Sequence, residues 1–203
     1  MVDTQQPHKS EPAAQMGAWA PYYDLLMKII TLGRENALRE ATVSLASVKA
    51  GDHVLEVGCG TGTLTLKAKE RAGQSGDVHG IDAAPEMIEV ARRKNAHAGK
   101  DITFQVGYID QIPYPDGMFD VALCSFMIFH MDEDTRQRGI KELFRVLKEG
   151  GRLLIVDLLS QDNLSALEQA MEGAGFTEIT KGERQLGILS PSLSFIRGAV
   201  HKV

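Results

Sequence analysis

The sequence contains few of the features that mark secreted, membrane-spanning or metal-binding proteins. Only two cysteines occur, and Cys59 and Cys124 lie in different segments without a metal-type spacing, so we expect reduced thiols in a cytoplasmic protein and no metal. The N-terminus has no apolar segment after a basic one, which argues against a secretory signal. The longest apolar stretch, 121–129, is far shorter than the ~20 residues that span a bilayer.

Basic residues are outnumbered by acidic ones. The 22 Lys and Arg residues stand against 27 Asp and Glu residues, for a net charge of −5, which argues against a long surface that follows nucleic-acid phosphates. The 203 residues are 43% hydrophobic and 24% charged, as in an ordinary single globular domain. We therefore expect a small-molecule partner and no nucleic acid.

The composition changes along the chain indicate a short tail and one domain. Residues 1–17 cannot bury enough apolar area to become ordered and are expected to form a flexible tail. Apolar residues at helical spacing then predict an amphipathic helix from Tyr22, with Leu25, Leu26, Ile29 and Ile30 on its buried face. We divide 18–203 into an N-terminal helical segment (18–50) and a core (51–203).

Strand and helix patterns alternate through the core, which is typical of a parallel sheet with crossover helices. After a helix at 35–48, the predicted strands are 53–57, 78–82, 102–106, 119–124, 152–156, 177–181 and 193–200. The predicted helices are 63–72, 85–97, 133–147 and 164–174, and a hairpin loop is predicted at 187–192.

A glycine-rich turn follows the first predicted strand. Gly58, Gly60 and Gly62 lack Cβ atoms, so a ligand can approach the backbone, and the free N–H groups of the next helix favour an anionic group. A tight turn without a ligand is the alternative. Asp82, at the end of the second strand, could accept hydrogen bonds from both hydroxyls of a ribose; it could also cap a helix, and both roles could hold together.

Two ligand classes fit this pair of motifs. Dinucleotide-binding enzymes need a third glycine at the position of Thr63. Its absence weakens an NAD(P)-dependent oxidoreductase without excluding it, because Gly62 lies next to that position.

Four stretches resemble the class I S-adenosylmethionine-dependent methyltransferases in order and spacing. They are VLEVGCGTG (54–62), GIDAAPEMIEVA (80–91), IPYPDGMFD (112–120) and FRVLKEGGR (144–152). The segments WAPYYD (19–24), TLGR (31–34) and GAGF (173–176) are most similar to the quinone and phospholipid N-methyltransferase branch.

The resemblance implies a doubly wound, Rossmann-like α/β fold with a seven-stranded, mostly parallel sheet, an antiparallel last strand and an N-terminal helical lid. It implies S-adenosylmethionine as cofactor, S-adenosylhomocysteine as product and no metal. The family often has Asp where this chain has Tyr108, so another group must contact the adenine amino group. The implied cofactor-binding residues are Glu56, Gly58, Gly60, Thr61, Gly62, Asp82, Ala83, Met87, Tyr108, Ile109 and Ser125.

The expected function is methyl transfer to a small or amphipathic acceptor such as a lipid amine or a quinone. His130 is the candidate general base, with a helix cap or packing role as the alternative. Tyr22 and Tyr23 could cover the cofactor or position the substrate, or pack in the core. The helix at 22–34 could rest on a lipid headgroup layer or dock on its own domain. A cofactor-binding protein without turnover is the remaining alternative.

Overall fold

One seven-stranded sheet, in the order β3-β2-β1-β4-β5-β7-β6, organises the protein. The computed structural model describes residues 20, 22–31, 33–157, 160–185 and 192–202. The strands are β1 (Val54–Val57), β2 (Val78–Asp82), β3 (Thr103–Val106), β4 (Phe119–Ser125), β5 (Leu147–Asp157), β6 (Phe176–Gln185) and β7 (Ser192–Val200). The helices are α1 (Tyr23–Ile30), α2 (Glu35–Leu45), α3 (Thr63–Ala72), α4 (Pro85–Ala98), α5 (Glu133–Val146) and α6 (Gln161–Ala174), with a 3₁₀ turn at Ile128–His130.

Strands β1 to β5 pair in parallel, whereas β7 is antiparallel to both of its neighbours. This confirms the predicted doubly wound sheet with an antiparallel last strand. The order reverses between β1 and β4, where open α/β sheets bind ligands at the carboxyl ends of their strands.

Alternate residues of β1 enter different cores because successive strand side chains point to opposite faces. Leu55 and Val57 join the core beneath α5 and α6. Val54 joins the core beneath α2, α3 and α4. Burial on both faces explains why the central strands are almost continuously apolar.

Several predicted boundaries need correction. Strand β5 begins at Leu147 and not at 152, because Leu147 already pairs with Phe119 before a register shift. Helix α2 ends at Leu45 and not at 48, since Ser47 adopts a positive φ of 53°. The predicted tail (1–17) lies outside the described residues, as does nearly all of the predicted hairpin loop.

The prediction for the buried face of the first helix is wrong at three of its five positions, whereas the side chains of Leu26 and Ile30 lie outside the described residues. Tyr22, Leu25 and Ile29 are about two-thirds exposed (63%, 60% and 63%). The helix docks instead through the adjacent face that carries Tyr23 and Met27, the latter buried. Asp24, on the same face, makes hydrogen bonds and an ion pair that explain this orientation. A pattern of apolar residues does not reveal such polar contacts.

No helix in the described part of the chain is long and apolar enough to cross a membrane.

Candidate functional site

The glycine loop leaves the carboxyl end of β1 and turns back against β2. The N–H groups of Gly58 and Cys59 both donate to the carbonyl oxygen of Ile81, at 2.8 and 2.9 Å. Gly58, Gly60 and Gly62 have φ values of 72°, 52° and 78°, a region that other residues rarely adopt. The loop conformation therefore requires glycine at these positions.

The space available to a side chain differs among the three glycines. A Cβ atom on Gly58 would lie 2.6 Å from Met127 Cγ, and one on Gly62 would lie 2.8 Å from Phe104 Cζ. On Gly60 the nearest atom would be Tyr23 Cε1, at 3.8 Å. Gly58 and Gly62 thus allow close packing of the protein, whereas Gly60 leaves space beneath the Tyr23 ring.

The carboxylate of Asp82 links this loop to the end of β2. Its Oδ2 accepts from the N–H of Gly60 at 2.8 Å, and its Oδ1 accepts from the N–H of Ala84 at 2.9 Å. Ala84 is the N-cap of α4, so Asp82 does not take the alternative role of N-cap. Burial raises the pKa of Asp82, and the two N–H groups oppose that rise. Each carboxylate oxygen keeps a lone pair for a further donor.

Glu56 forms the buried floor of the site. The Thr65 hydroxyl donates to Oε2 at 2.5 Å and the Ser125 hydroxyl to Oε1 at 3.5 Å. Burial raises the pKa of Glu56 to about 7, although the Thr65 hydrogen bond and the charge of Arg39 act in the opposite direction. Glu56 is therefore a buried carboxyl that titrates near neutral pH.

A small cavity lies between the glycine loop and α1. The sequence prediction missed Arg39, which lines it from α2 and is only 6% exposed. Its guanidinium lies 3.6 Å from Glu35, and Arg39 Nε has no hydrogen-bond partner among the described residues. The signal in the sequence was the position of this charged residue beside Leu38, on the apolar face of a helix. The lining residues are Tyr23, Arg39, Glu56, Gly58, Cys59, Gly60, Thr61, Thr63, Leu64 and Ser125.

The side chain of Thr61 is engaged by α1 and α4. Its hydroxyl donates to Asp24 Oδ1 at 2.6 Å and accepts from Lys94 Nζ at 2.9 Å. Lys94 also donates to Thr63 at 3.0 Å and forms an ion pair with Asp24. Burial would raise the pKa of Asp24, but hydrogen bonds from Lys94 and Thr61 hold it below its ordinary value.

The residues predicted to surround adenine lie in three different environments. Met87 is 2% exposed and packs in one cluster with Ala20 and Tyr23. Ile109 is buried in the core, and only the half-buried Tyr108 and Ala83 retain exposed surface.

The candidate catalytic residues do not come together. Tyr23 lines the cavity, whereas Tyr22 is exposed on the opposite face of the lid. His130 ends the 3₁₀ turn with its side chain exposed, and it is not among the residues that line the cavity. Within the described residues, no group of three or more His, Cys, Asp and Glu side chains could hold a metal ion.

Comparison with known proteins identifies the family and agrees with the fold. A family described as "Methyltransferase domain" matches residues 54–151. The chain belongs to the class I methyltransferases. This methyltransferase is 37% identical over 147 residues to a ubiquinone/menaquinone biosynthesis C-methyltransferase of a Geobacter species, covering 71% of this chain and 61% of that protein. It is 38% identical over 138 residues to the demethylmenaquinone methyltransferase of Thermus thermophilus, covering 68% and 61%.

The chain spans about three fifths of the length of these curated relatives. Among solved structures, a SAM-dependent methyltransferase from Aquifex aeolicus superposes with a TM-score of 0.68 at 23% identity, covering 80% of this chain and 89% of that one. These similarities favour the methyltransferase interpretation over the oxidoreductase.

Proposed function

We propose that this methyltransferase transfers a methyl group from S-adenosylmethionine to a ring carbon of a quinone-type acceptor. The cofactor assignment rests on the hydrogen bond from the N–H of Gly60 to the carboxylate of Asp82. This hydrogen bond joins the glycine loop to the acidic end of β2, beside the point where the strand order of the sheet reverses. The acceptor class rests on the relatives, which are named for ubiquinone and menaquinone biosynthesis.

The residues of the site fit this cofactor. Gly60 leaves space at the loop, and Asp82 keeps lone pairs for the ribose hydroxyls. Arg39 places a buried guanidinium, with an unpartnered Nε, at the cavity. Because its buried Nε still lacks an acceptor beside the 3.6 Å ion pair with Glu35, and buried donors need partners, Arg39 is our candidate for holding the cofactor carboxylate.

The bound cofactor supplies a methyl group that is already activated by its sulfonium. The protein must therefore orient the acceptor, exclude water and accept a proton. Methylation of a ring carbon would form one C–C bond while the S–CH₃ bond breaks, leaving S-adenosylhomocysteine and releasing the proton of that carbon. His130, in the exposed turn after β4, remains the candidate acceptor of this proton. Burial raises the pKa of Tyr23, so its phenol stays protonated.

A substrate panel tests the proposal. The full chain is incubated with S-adenosylmethionine and short-chain demethylated quinols, phosphatidylethanolamine, simple amines or thiols. S-adenosylhomocysteine release and the position of the new methyl group are measured by mass spectrometry. We expect release with the quinols and a methyl group on a ring carbon. Turnover with the amines or lipids alone, or binding of NADH in place of S-adenosylhomocysteine, would contradict the proposal.

The outer face of α1 is our candidate for peripheral contact between this protein and an anionic lipid surface. Tyr22, Leu25 and Ile29 are exposed beside the exposed Lys28, which is the pattern of an interfacial helix. A quinone acceptor is lipophilic, so such contact would bring the lid to its substrate.

Vesicle sedimentation tests this contact. We expect the full chain to bind vesicles that contain phosphatidylglycerol, and the Leu25→Ser/Ile29→Ser variant to bind at least tenfold more weakly. Val106→Ser, at a 41% exposed apolar position on β3, is the control and should bind like the parent. Equal binding by both variants would remove α1 from this role.

A further inference from the structure

The contacts of Asp24 join three separate parts of the chain above the glycine loop. Asp24 lies on α1, Lys94 lies on α4, and Thr61 and Thr63 lie at the start of α3. The carboxylate receives the ammonium group and both hydroxyls. We call these four residues the lid clasp. Its charged groups are only a quarter to a third exposed, so water screens the pair less than it screens an ordinary surface pair.

Tyr23 is the first residue of α1 and directly precedes Asp24 of the clasp. Its ring covers Gly60 and contacts the cluster of Ala20, Ala84 and Met87. With the lid in this position, Gly60 and Met87, two of the residues assigned to the cofactor, lie beneath or against Tyr23. A ligand that contacts these two residues therefore requires α1 to move.

We propose that Asp24 and Lys94 are positioning residues that hold the lid helix, and with it Tyr23, closed over the cofactor. This inference rests on the proposed function for the identity of the cofactor. It also gives Thr61 a different main role from the one that the family resemblance implies, because its hydroxyl is already engaged by the lid.

Two variants, Asp24→Asn and Lys94→Met, test the clasp in the full chain. Loss of a partly buried charged pair should raise the population of the open lid about fivefold. We expect S-adenosylhomocysteine to associate and dissociate about fivefold faster, as followed by stopped-flow fluorescence of Trp19, the single tryptophan. With the acceptor, kcat should fall more than the KM for the acceptor changes, because misplacement of Tyr23 affects the bound complex.

A double-mutant cycle separates the pair from two independent effects. The double variant should be no more altered than either single variant, whereas additive effects would overturn the pairing. Lys181→Met is the matched control, because Lys181 and Glu168 form a pair with similar side-chain exposure on β6 and α6, at the other end of the sheet. It should leave the binding rates unchanged.

Hydrogen exchange of the free protein distinguishes failure of this inference from failure of the proposed function. Amides of α1 should exchange faster in Asp24→Asn and Lys94→Met than in the parent, whatever the cofactor is. Unchanged exchange in α1 together with unchanged binding rates would refute the clasp. If α1 exchanges faster in the variants but the parent binds no S-adenosylhomocysteine, the cofactor assignment is refuted and, with it, the positioning role.

Discussion

The N–H of Gly60 donates a 2.8 Å hydrogen bond to Asp82 Oδ2, across 22 residues of sequence. The bond ties the loop after β1 to the end of β2, and the N–H of Ala84 holds the second oxygen of the same carboxylate. Asp82 is thus oriented before any ligand arrives. Such preorganisation reduces the ordering cost of binding.

Replacement of Asp82 should weaken cofactor binding. Asp82→Ala removes charge-assisted hydrogen bonds of about 1.5–3 kcal/mol each, so the affinity for S-adenosylhomocysteine should fall at least tenfold in calorimetry. The exposed Asp101→Ala is the control and should bind normally. A folded Asp82→Ala variant with an unchanged dissociation constant would exclude Asp82 from the ribose role.

Gly62 should be much less tolerant of alanine than another glycine with positive φ. In Gly62→Ala the new methyl group would approach Phe104 Cζ at 2.8 Å and Ala91 Cβ at 3.0 Å, so strain and overpacking should cost about 3 kcal/mol. Gly99 has a φ of 59° but open space around it, and Gly99→Ala should cost only about 1 kcal/mol. Urea denaturation measures both, and equal costs would contradict the packing argument.

The elements that could be predicted from the sequence are those with strong local signals. The predicted bounds of the helix at 63–72 and the strand at 78–82 agree with the structure, because the glycine loop and a polar turn delimit them. Pro85 similarly defines the start of α4. Glycines, prolines and apolar runs act within a few residues, so their effects are visible in the sequence.

The parts of the site that could not be predicted depend on contacts between distant residues. Asp24 and Lys94 are 70 positions apart, and no local pattern relates them. The orientation of α1 followed these polar contacts and not its widest apolar stripe. Arg39 lies beside Leu38 on α2, but only the packing of α2 against α3 places it in the cavity.

Arg39 should distinguish ligands by their carboxylate. If its guanidinium holds that group, Arg39→Met should weaken S-adenosylhomocysteine binding at least tenfold, whereas 5′-methylthioadenosine, which lacks the amino-acid part, should bind as it does to the parent. Arg39→Lys keeps the charge without the planar fork and should lose less. Calorimetry with both ligands gives the comparison, and a parallel loss of both would instead indicate a disturbed fold around Glu35.

Glu56 should make the stability of the protein depend on pH in the direction opposite to that of most carboxylates. Its pKa is raised from 4.5 to about 7 by burial, so the folded state keeps a proton that the unfolded chain has lost. The resulting stabilisation is complete below pH 4.5 and disappears as the pH rises through about 7. Between pH 5 and pH 8 the parent should lose about 2–3 kcal/mol relative to Glu56→Gln, which cannot titrate. Urea denaturation across this range measures the difference. Glu89→Gln, at an exposed position of α4, should follow the parent, and a Glu56→Gln curve parallel to the parent's would show that Glu56 is ionised in the folded protein throughout.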